Sequence, residues 1–599
     1  MGINFSHDAS AVLISDGKIF HAVEEEKISR VKQDFGWPRH AVSEIHRTTG
    51  IPPEDIDVIA FGSHYFQEIG KHEIKFRFFK RNVYKGLEVF DRILHYFDLL
   101  PSTISHRNKI LFSQALKVMR YTNAKITFHD HHLCHAYSAY YAAPFFPDLV
   151  ITCDGHGNGN SFNFYRNNLD RGLECIVTHD HLASIGQFYS SITKLLGFRP
   201  NRHEGKITGL AAYGKPTELV ETFYNLFNYE NDKLRRFPAE KTMEYWAQWD
   251  ISHNLSLRDK INIKSSESVV GKQYGMNSLI LLHYLEQVCK PHSKEDIAFA
   301  CQVVTERVVL NEIKRVYKKF YVSGKIKVGL AGGVFANVRV NQKIYELDFV
   351  ENIFIQPAMG DSGLALGAAI ISDIEERGKG FEQVSYRFDH TYWGIDYSDK
   401  IEEALRSVSS SLSIERMQDT ARQVAKKLAK NAIIGFWHGP MEWGPRALGS
   451  RSIMLNTFDK SVNKTLNDRL NRTEFMPFAP VVLDFLAKEY FPCYDEKVPA
   501  ADYMTITYDT NPKYKDMLQA VVHVDGTARP QVIRREMNPL YYDILYEFYK
   551  LTGCGALVNT SFNAHEEPIV STPQVALSAL QAGRIDYLVM DSYLIGRKY

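Results

Sequence analysis

The sequence predicts a mixed α/β protein built from two domains. Its 599 residues exceed what one hydrophobic core usually organises, so a second domain is expected. A content of 45% hydrophobic and 24% charged residues is typical of an ordinary globular protein. Short apolar runs typical of strands alternate with segments whose apolar residues have helical spacing. Residues 327–331 are such a strand, before a Gly-Gly turn, and residues 297–317 have apolar residues at helical intervals.

The overall charge and the cysteine content exclude several classes of protein. A net charge of +1 gives no electrostatic basis for binding nucleic acid or an anionic membrane. Seven cysteines without a CxxC pair indicate reduced thiols and a cytoplasmic setting. No apolar run is long enough to span a bilayer, and the first residues lack a signal-peptide pattern. We therefore expect a cytoplasmic protein without nucleic-acid or membrane partners.

The N-terminal residues form a strand, a polar turn and a hairpin. Residues 2–5 are a short strand, residues 6–10 a polar turn, and Asp16-Gly17 a hairpin turn between two further strands. This order resembles the start of actin/hexokinase-type ATPase domains, in which the first turn faces the phosphates. The turn places His7 and Asp8 at the mouth of a sheet. The charged segment 24–32, which includes Lys32, follows, and by itself it is typical of a solvated surface helix or loop.

Two histidines point to a metal site. His131 and His135 are four residues apart on a predicted helix, so they project from one face and can bind one ion. His132 is one residue off and is expected to point elsewhere. The alternative is a helix start whose histidines bond to the neighbouring backbone.

Three glycine-rich turns end predicted strands. Asp154 stands at a strand tip before Gly155 and Gly157, where it can reach a metal, although a simple hairpin explains the pattern equally well. Gly332 and Gly333 lead into a helix bearing Asn337, an arrangement suited to seating nucleotide phosphates. Asp361 precedes a helix of small residues.

These motifs together carry a resemblance to a known family. The segments GINFSHDAS, HHLCHA, CDGHG, EGKITGLAAYG, AGGVFANVRVN and MGDSGLALGAA occur in the order found in O-carbamoyltransferases of the nodulation-factor and cephamycin type, which include antibiotic-modifying members. The first part, residues 1–385, is similar to the tRNA threonylcarbamoyl transferase fold. The resemblance implies a divalent metal, Fe(II) in the family, held by His131, His135, Asp154 and Asp361. It also implies that His7 is the general base and that Lys32, Gly333 and Asn337 hold the adenylate.

The second part, residues 386–599, resembles a YrdC-like α/β domain that makes carbamoyladenylate from carbamoyl phosphate and ATP. WHGPMEWGPRALGSRSI, RTEFMPFAP, HVDGTAR and NTSFN resemble the family's blocks. Dense anionic substrates require fixed guanidinium groups in a chain of net charge +1. The arginines of these blocks stand beside Gly, Pro, Ser and Thr, which is typical of phosphate-binding positions. The predicted donor-binding residues are Arg446, Arg451, Arg472, Pro477, Phe478, Ala479, Arg529, Asn559 and Ser561.

The predicted activity is ATP-dependent transfer of a carbamoyl group to a hydroxyl of a small natural product or sugar, as in secondary metabolism, with Mg as a possible further ion. Aromatic residues between 223 and 249 would suit stacking on the acceptor or an ordinary core. A homodimer is expected from base rates. The alternatives are a tRNA threonylcarbamoyl transferase, a hydrogenase-maturation carbamoyltransferase, and a non-catalytic nucleotide-binding relative. Compared with the family pattern, Pro440 stands in place of a basic residue, Met476 in place of an arginine and Asn158 in place of an acidic residue, and His565-Glu566 alter a turn that usually bears glycine. These departures leave donor affinity open.

Overall fold

The computed structural model describes most of the chain. The described residues are 1–63, 116–117, 119–168, 172–230, 233–236, 281–321, 323–377, 386–408, 410–472 and 475–598. Residues 231–232 and 237–249 of the aromatic stretch 223–249 lie outside them. The mixed α/β class predicted from the sequence is confirmed, whereas the division at residue 386 stays a prediction. Among the described helices, none is both long and apolar enough to cross a membrane.

A first five-stranded sheet contains the N-terminal turn. Its strand order is β3-β2-β1-β4-β5, with β1 antiparallel to β2 and parallel to β4. The predicted Asp16-Gly17 turn joins β2 to β3. The strands are β1 Gly2–Asn4, β2 Ser10–Ser15, β3 Lys18–Glu24, β4 Val58–Phe61 and β5 Lys125–Phe128.

A second sheet repeats this topology. Its order, β8-β7-β6-β11-β12, again has an antiparallel three-strand meander beside two parallel strands. Two sheets of this order are the duplicated arrangement that actin/hexokinase-type folds share, as the N-terminal pattern predicts. β9 and β10 form a separate hairpin. The strands are β6 Leu149–Gly157, β7 Asn160–Asn168, β8 Gly172–Asp180, β9 Phe227–Glu230, β10 Lys233–Arg236, β11 Ile326–Ala331 and β12 Val350–Ile355.

A third sheet contains eight strands of the C-terminal part. Its order is β13-β22-β21-β14-β15-β20-β16-β19, with parallel and antiparallel neighbours, and β17 pairs with β18 separately. The strands are β13 Leu412–Arg416, β14 Ile434–Trp437, β15 Arg451–Leu455, β16 Ala479–Leu483, β17 Tyr508–Asp509, β18 Thr527–Ala528, β19 Gln531–Ile533, β20 Ala556–Ser561, β21 Tyr587–Met590 and β22 Tyr593–Arg597.

Helices cover the sheets and bury their apolar faces. They are α1 Glu25–Ser29, α2 Arg39–Thr49, α3 His131–Ala142, α4 Ile185–Leu195, α5 Glu204–Ala211, α6 Leu219–Tyr224, α7 Lys294–Phe320, α8 Val338–Tyr345, α9 Leu364–Arg377, α10 Ile401–Val408, α11 Thr420–Leu428, α12 Val462–Arg469, α13 Asp484–Tyr490, α14 Pro539–Thr552 and α15 Pro573–Gln581.

The helix α3 lies between the two N-terminal sheets and packs closely on α9. A Cβ atom on Gly367 of α9 would lie 1.9 Å from the carbonyl oxygen of Cys134 in α3, so only glycine allows the two backbones to approach this closely. All but one residue of α3 are buried. The small-residue character of α9 therefore fixes the position of the helix that bears the two histidines.

Replacing Gly367 by alanine tests this close approach. We expect the added methyl group to displace α3 or α9 and to destabilise the protein by about 2–3 kcal/mol, as overpacked cores do. The change is measured as a lower Tm in thermal unfolding. Gly205 of α5 is the matched control, because its Cβ would meet no atom within 4 Å. Gly205→Ala should leave the Tm unchanged or raise it, since alanine favours a helix by about 1 kcal/mol. Equal Tm values for the two variants would contradict the packing argument.

Candidate metal and transfer site

Four predicted metal ligands converge from three elements. His131 and His135 lie on α3, Asp154 lies in β6, and Asp361 begins the 3-10 turn before α9. One ligand atom from each of the four lies within 4.8 Å of the others. His135 Nε2 is 3.2 Å from Asp154 Oδ2 and 3.8 Å from Asp361 Oδ1. His131 Nε2 is 3.7 Å from each of the same two oxygens.

The start of α3 aims the two histidines at the aspartates. Asp130 caps the helix by accepting a hydrogen bond from the N–H of Leu133 (2.9 Å), and Asn158 Oδ1 accepts from the N–H of His131 (3.3 Å). Residues four apart then share one face, whereas His132 turns away and bonds through Nδ1 to Thr152 Oγ1 at 2.9 Å. The predicted orientation of His132 is thus confirmed.

Close glycines make room for the ligands. A Cβ on Gly157 would lie 2.2 Å from the ring of His131, so the DGxG segment requires glycine there. The N–H of Gly155 donates to Asp154 Oδ1 at 2.6 Å, which holds the carboxylate toward the histidines. The Asp154 side chain therefore has a fixed orientation, as a ligand requires.

The two aspartates are held as carboxylates. Burial opposes their ionisation, but hydrogen bonds from His131 and His135 lower the pKa of Asp154 well below its usual value. For Asp361, burial is likewise outweighed by the charges of His7 and His131, and its pKa is lowered. Nitrogen and carboxylate ligands 3.2–3.8 Å apart fit a divalent ion, since metal–ligand bonds of about 2.1 Å separate adjacent ligands by about 3 Å.

His7 adjoins the ligand cluster and is open to solvent. Its Nε2 lies 3.4 Å from Asp361 Oδ2 and its Nδ1 lies 3.2 Å from Asp8 Oδ2. The side chain is 51% exposed, whereas that of Asp361 is 4% exposed. The Asp361 carboxylate, joined by Asp8, raises the pKa of His7 well above its ordinary value. A histidine that is both exposed and beside a metal-ligand carboxylate can exchange a proton with a bound small molecule.

Ser6 and Asn4 belong to this site, and the sequence reasoning missed both. Ser6 Oγ donates to Asp361 Oδ2 at 2.9 Å, and Asn4 Nδ2 donates to the carbonyl oxygens of His7 and Asp8, each at 3.1 Å. Asn4 is buried at the end of β1, where an apolar residue is usual. The presence of polar Asn4 at a strand position that faces the core could have indicated its role in this site.

Two of the predicted adenylate residues, Gly332 and Gly333, lie next to Asp154 or its neighbour Cys153. Gly332 has a φ of 105°, and the N–H of Gly333 donates to Asp154 Oδ2 at 3.3 Å. Asn337 caps α8 by accepting from the N–H of Val340 (3.2 Å), and it also pairs with Gln302. Lys32 is separate: its Nζ forms an ion pair with Glu26 Oε1 at 2.6 Å.

A narrow cavity brings together several predicted donor residues. Pro477, Phe478, Ala479 and Arg529 line it, together with Met476 and His523. Thus the RTEFMPFAP and HVDGTAR blocks, about fifty residues apart in the sequence, meet in space.

The other predicted donor residues have protein partners. Arg451 is fully buried, lies 3.8 Å over the ring of Trp437 and donates to the carbonyl oxygen of His438 at 3.1 Å. Arg472 donates to Ser561 Oγ (3.2 Å) and to Asn563 Oδ1 (2.8 Å). Arg451 thus lies in the protein interior. Arg472 holds the NTSFN segment.

The loop that bears Arg446 is tied to the third sheet. Asn559 Nδ2 donates to the carbonyl oxygen of Ala447 at 3.0 Å and to Gln531 Oε1 at 2.8 Å. Asn559 thus holds the backbone next to Arg446.

A second group of possible ligands is instead an ion-pair network. His203, His565 and Glu566 also bring ligand atoms within 4.8 Å of one another. However, Arg202 bonds to Glu566, and His203 Nε2 approaches the same carboxylate at 2.8 Å. These contacts already neutralise the glutamate, so the group joins residues 202–203 to residues 565–566 and has no need of an ion.

Comparisons with known proteins identify the family. Residues 1–370 match the family model "Carbamoyltransferase N-terminus", and residues 425–597 match "Carbamoyltransferase C-terminus". An uncharacterised protein of Methanocaldococcus jannaschii is 31% identical over 99% of this chain and 98% of its own length. Nodulation protein NolNO of Sinorhizobium fredii is 30% identical over 99% of this chain and 79% of its own length.

More distant proteins also match. Nodulation protein U of Rhizobium tropici is 25% identical over 100% of this chain and 96% of its own length. The solved structure of HypF from T. kodakarensis is 14% identical, covers 63% of this chain and 49% of that chain, and gives a TM-score of 0.29. The two family models and the relatives that match nearly the whole chain show that this chain belongs to the carbamoyltransferase family.

Proposed function

We propose that the protein is an ATP-dependent O-carbamoyltransferase that acts through carbamoyladenylate. The observation that carries the proposal is the position of the half-exposed His7 beside four convergent ligands, with Asp361 shared between them. An exposed base next to a site for a divalent ion suits transfer of an acyl-type group to a hydroxyl. Membership of the carbamoyltransferase family identifies that group as carbamoyl.

The first stage activates the donor. Carbamoyl phosphate and water give carbamate and phosphate. A carbamate oxygen then attacks the α-phosphorus of ATP, the bond to pyrophosphate breaks, and carbamoyladenylate forms. Arg446 and Arg529 supply the positive charge that these anions require, and Pro477, Phe478 and Ala479 line the cavity beside Arg529. Arg451, Arg472, Asn559 and Ser561 hold the surrounding strands and loops.

The second stage transfers the carbamoyl group. Gly332, Gly333 and Asn337 bind the adenylate beside Asp154, and Lys32 contacts its phosphate after leaving Glu26. A divalent ion bound by Asp361 would offset the charge of that carboxylate, which otherwise favours protonated His7. The neutral imidazole, oriented by Asp8, then accepts the proton of the acceptor hydroxyl while the acceptor oxygen bonds to the carbamoyl carbon and AMP leaves. His131, His135, Asp154 and Asp361 would hold a divalent ion, which would supply Lewis-acid polarisation of the carbamoyl group. We assign Fe(II) to these ligands, while Mg accompanies ATP.

The acceptor is a hydroxylated small molecule of the natural-product or sugar class. The exposed side of His7 is where it binds, since the opposite side faces Asp361. A net charge of +1 disfavours the tRNA substrate of the alternative function.

The metal assignment predicts a loss of binding when one ligand is removed. We expect the anaerobically reconstituted protein to bind about one Fe(II) per chain, and His135→Gln to weaken this binding by about tenfold or more, because a nitrogen ligand is lost. Metal content after gel filtration and titration calorimetry measure the difference.

His132→Gln is the matched control, since His132 lies on the same helix but bonds to Thr152. Its metal content should equal that of the wild type, provided that circular dichroism shows both variants folded. Equal metal retention by all three proteins would refute the four-ligand site.

Donor activation predicts pyrophosphate release without any acceptor. The protein is incubated with carbamoyl phosphate, ATP and Fe(II), and pyrophosphate is followed. Arg446→Ala should lower kcat/KM for carbamoyl phosphate by about 10- to 100-fold, the effect of losing a charged hydrogen bond. Arg535→Ala is the control, because Arg535 is a 67% exposed arginine of the same part of the chain, paired with Asp543.

Two other results would count against the proposal. Nucleotide binding without pyrophosphate release under any metal condition would support the non-catalytic alternative. Release that does not depend on carbamoyl phosphate would indicate an ordinary ATPase.

A further inference from the structure

The segment from Glu24 to Arg30 contacts both the N-terminal and the C-terminal parts of the chain, and its residues Glu24, Glu25 and Lys27 are buried. Glu24 and Lys27 have side chains that are only 8% and 4% exposed, although the charge pattern is typical of a solvated surface segment. Burying charged groups is unfavourable unless they are paired and hydrogen-bonded. The partners of these two residues therefore indicate what the segment does.

Lys27 binds the loop that bears Arg446. Its Nζ donates to the carbonyl oxygens of Glu442 (2.6 Å) and Gly444 (2.9 Å), and it forms an ion pair with Glu24 Oε2 at 2.6 Å. The other carboxylate oxygen of Glu24 accepts from the N–H of Gly444 at 2.8 Å. Glu24 thus binds the N–H of Gly444 and Lys27 binds its carbonyl group, so the loop is held through both backbone groups of this residue.

The same loop is folded around its own buried carboxylate. Glu442 Oε1 accepts hydrogen bonds from the N–H groups of Leu448 (2.9 Å), Ser450 (2.6 Å) and Arg451 (2.9 Å). Residues 442–451 therefore form one rigid unit, which we call the donor loop. Because Lys27 binds the carbonyl group of Glu442, the position of the whole loop depends on α1.

The segment also contacts the transfer turn and a second C-terminal loop. The N–H of Glu25 donates to the carbonyl oxygen of Ala9 (2.8 Å), directly after His7 and Asp8. At the other end, Arg30 donates to the carbonyl oxygens of Pro568 (2.8 Å) and Ile569 (2.5 Å). One short segment thus bonds to the turn with the predicted base and to two loops beside the predicted donor residues.

We propose that Glu24 and Lys27 are positioning residues that set the donor loop relative to the transfer turn and thereby determine donor affinity. The effect on donor affinity rests on the proposed function, because it requires Arg446 to bind the donor. The effect on the position of the loop is independent of the proposed function, and it can be measured without any substrate.

The test uses the full-length double variant Glu24→Gln/Lys27→Met. Lys27→Met alone would leave the Glu24 charge buried and unpaired, so it could unfold the protein. The double variant removes both charges and the two N–H donors to the loop. Its matched control is Lys125→Met/Glu376→Gln, which removes an exposed Lys–Glu pair of the same part of the chain.

Hydrogen exchange and donor kinetics give two separate readouts. In the double variant, amides of residues 444–450 should exchange about tenfold faster or more, while those of β14 and of residues 452–455 in β15 exchange as in the wild type. KM for carbamoyl phosphate should rise about tenfold, with kcat changing less than about threefold, because binding is weakened before chemistry is. The control variant should match the wild type in both.

The outcomes separate this inference from the proposed function. Unchanged exchange in the donor loop overturns the positioning role, whatever the activity. Faster exchange with an unchanged KM in an active protein overturns the effect on donor affinity. Faster exchange in a protein whose wild type releases no pyrophosphate supports the positioning role and rejects the proposed chemistry. Exchange that rises equally throughout the chain indicates general destabilisation and also overturns the inference.

Discussion

The contact between Gly367 and the backbone of Cys134 is the constraint on which the site depends. It lets α9 lie directly against α3, so that Asp361, just before α9, reaches the ring of His131. Gly157 makes the corresponding approach from the other side, where β6 brings Asp154 toward the same ring. A side chain at Gly367 would clash with the backbone of α3, and one at Gly157 would clash with the ring of His131. The ligand geometry is therefore set by backbone packing rather than by the ligands themselves.

Polar contacts that are specific in direction join the two parts of the chain, in addition to apolar contacts such as Phe354 against Tyr503. Lys27 and Glu24 bind one loop, and Arg30 binds another through its carbonyl groups. Arg202 and His203 pair with Glu566 nearby. An apolar interface would tolerate small shifts, whereas hydrogen bonds to carbonyl groups are lost within a few tenths of an ångström. Such contacts suit the proposed function, in which carbamoyladenylate made by one part is used by the other.

The sequence predicted the local geometry well, because helix and strand periodicity decide which side chains share a face. The i, i+4 spacing of His131 and His135 and the divergence of His132 follow from that rule alone. The glycine-rich strand end indicated Asp154 as a possible metal ligand, but its grouping with Asp361 came from the family resemblance, since no periodicity brings together two residues 207 positions apart, counting from the two residue numbers. Glu24 and Lys27 could not be recognised as buried, because their partners lie about 420 residues away. Arg451 looked like an anion-binding residue from its neighbours, yet Trp437 and the carbonyl of His438 enclose it.

Three of the residues that depart from the family pattern, Asn158, Glu566 and Met476, make contacts with other residues of the chain. Asn158, in place of an acidic residue, still accepts the N–H of His131 through its amide oxygen, which any Asx side chain can do. Glu566 receives Arg202 and His203 from the other part of the chain, so its charge serves the interface. Met476 lies against Gly209, and a Cβ atom on Gly209 would be 2.4 Å from the Met476 side chain. An arginine at position 476 would bring a charge to this closely packed contact. None of these three changes replaces one of the four ligands or His7. Glu566 and Met476 therefore contribute to contacts between the two parts of the chain, whereas Asn158 supports the start of α3.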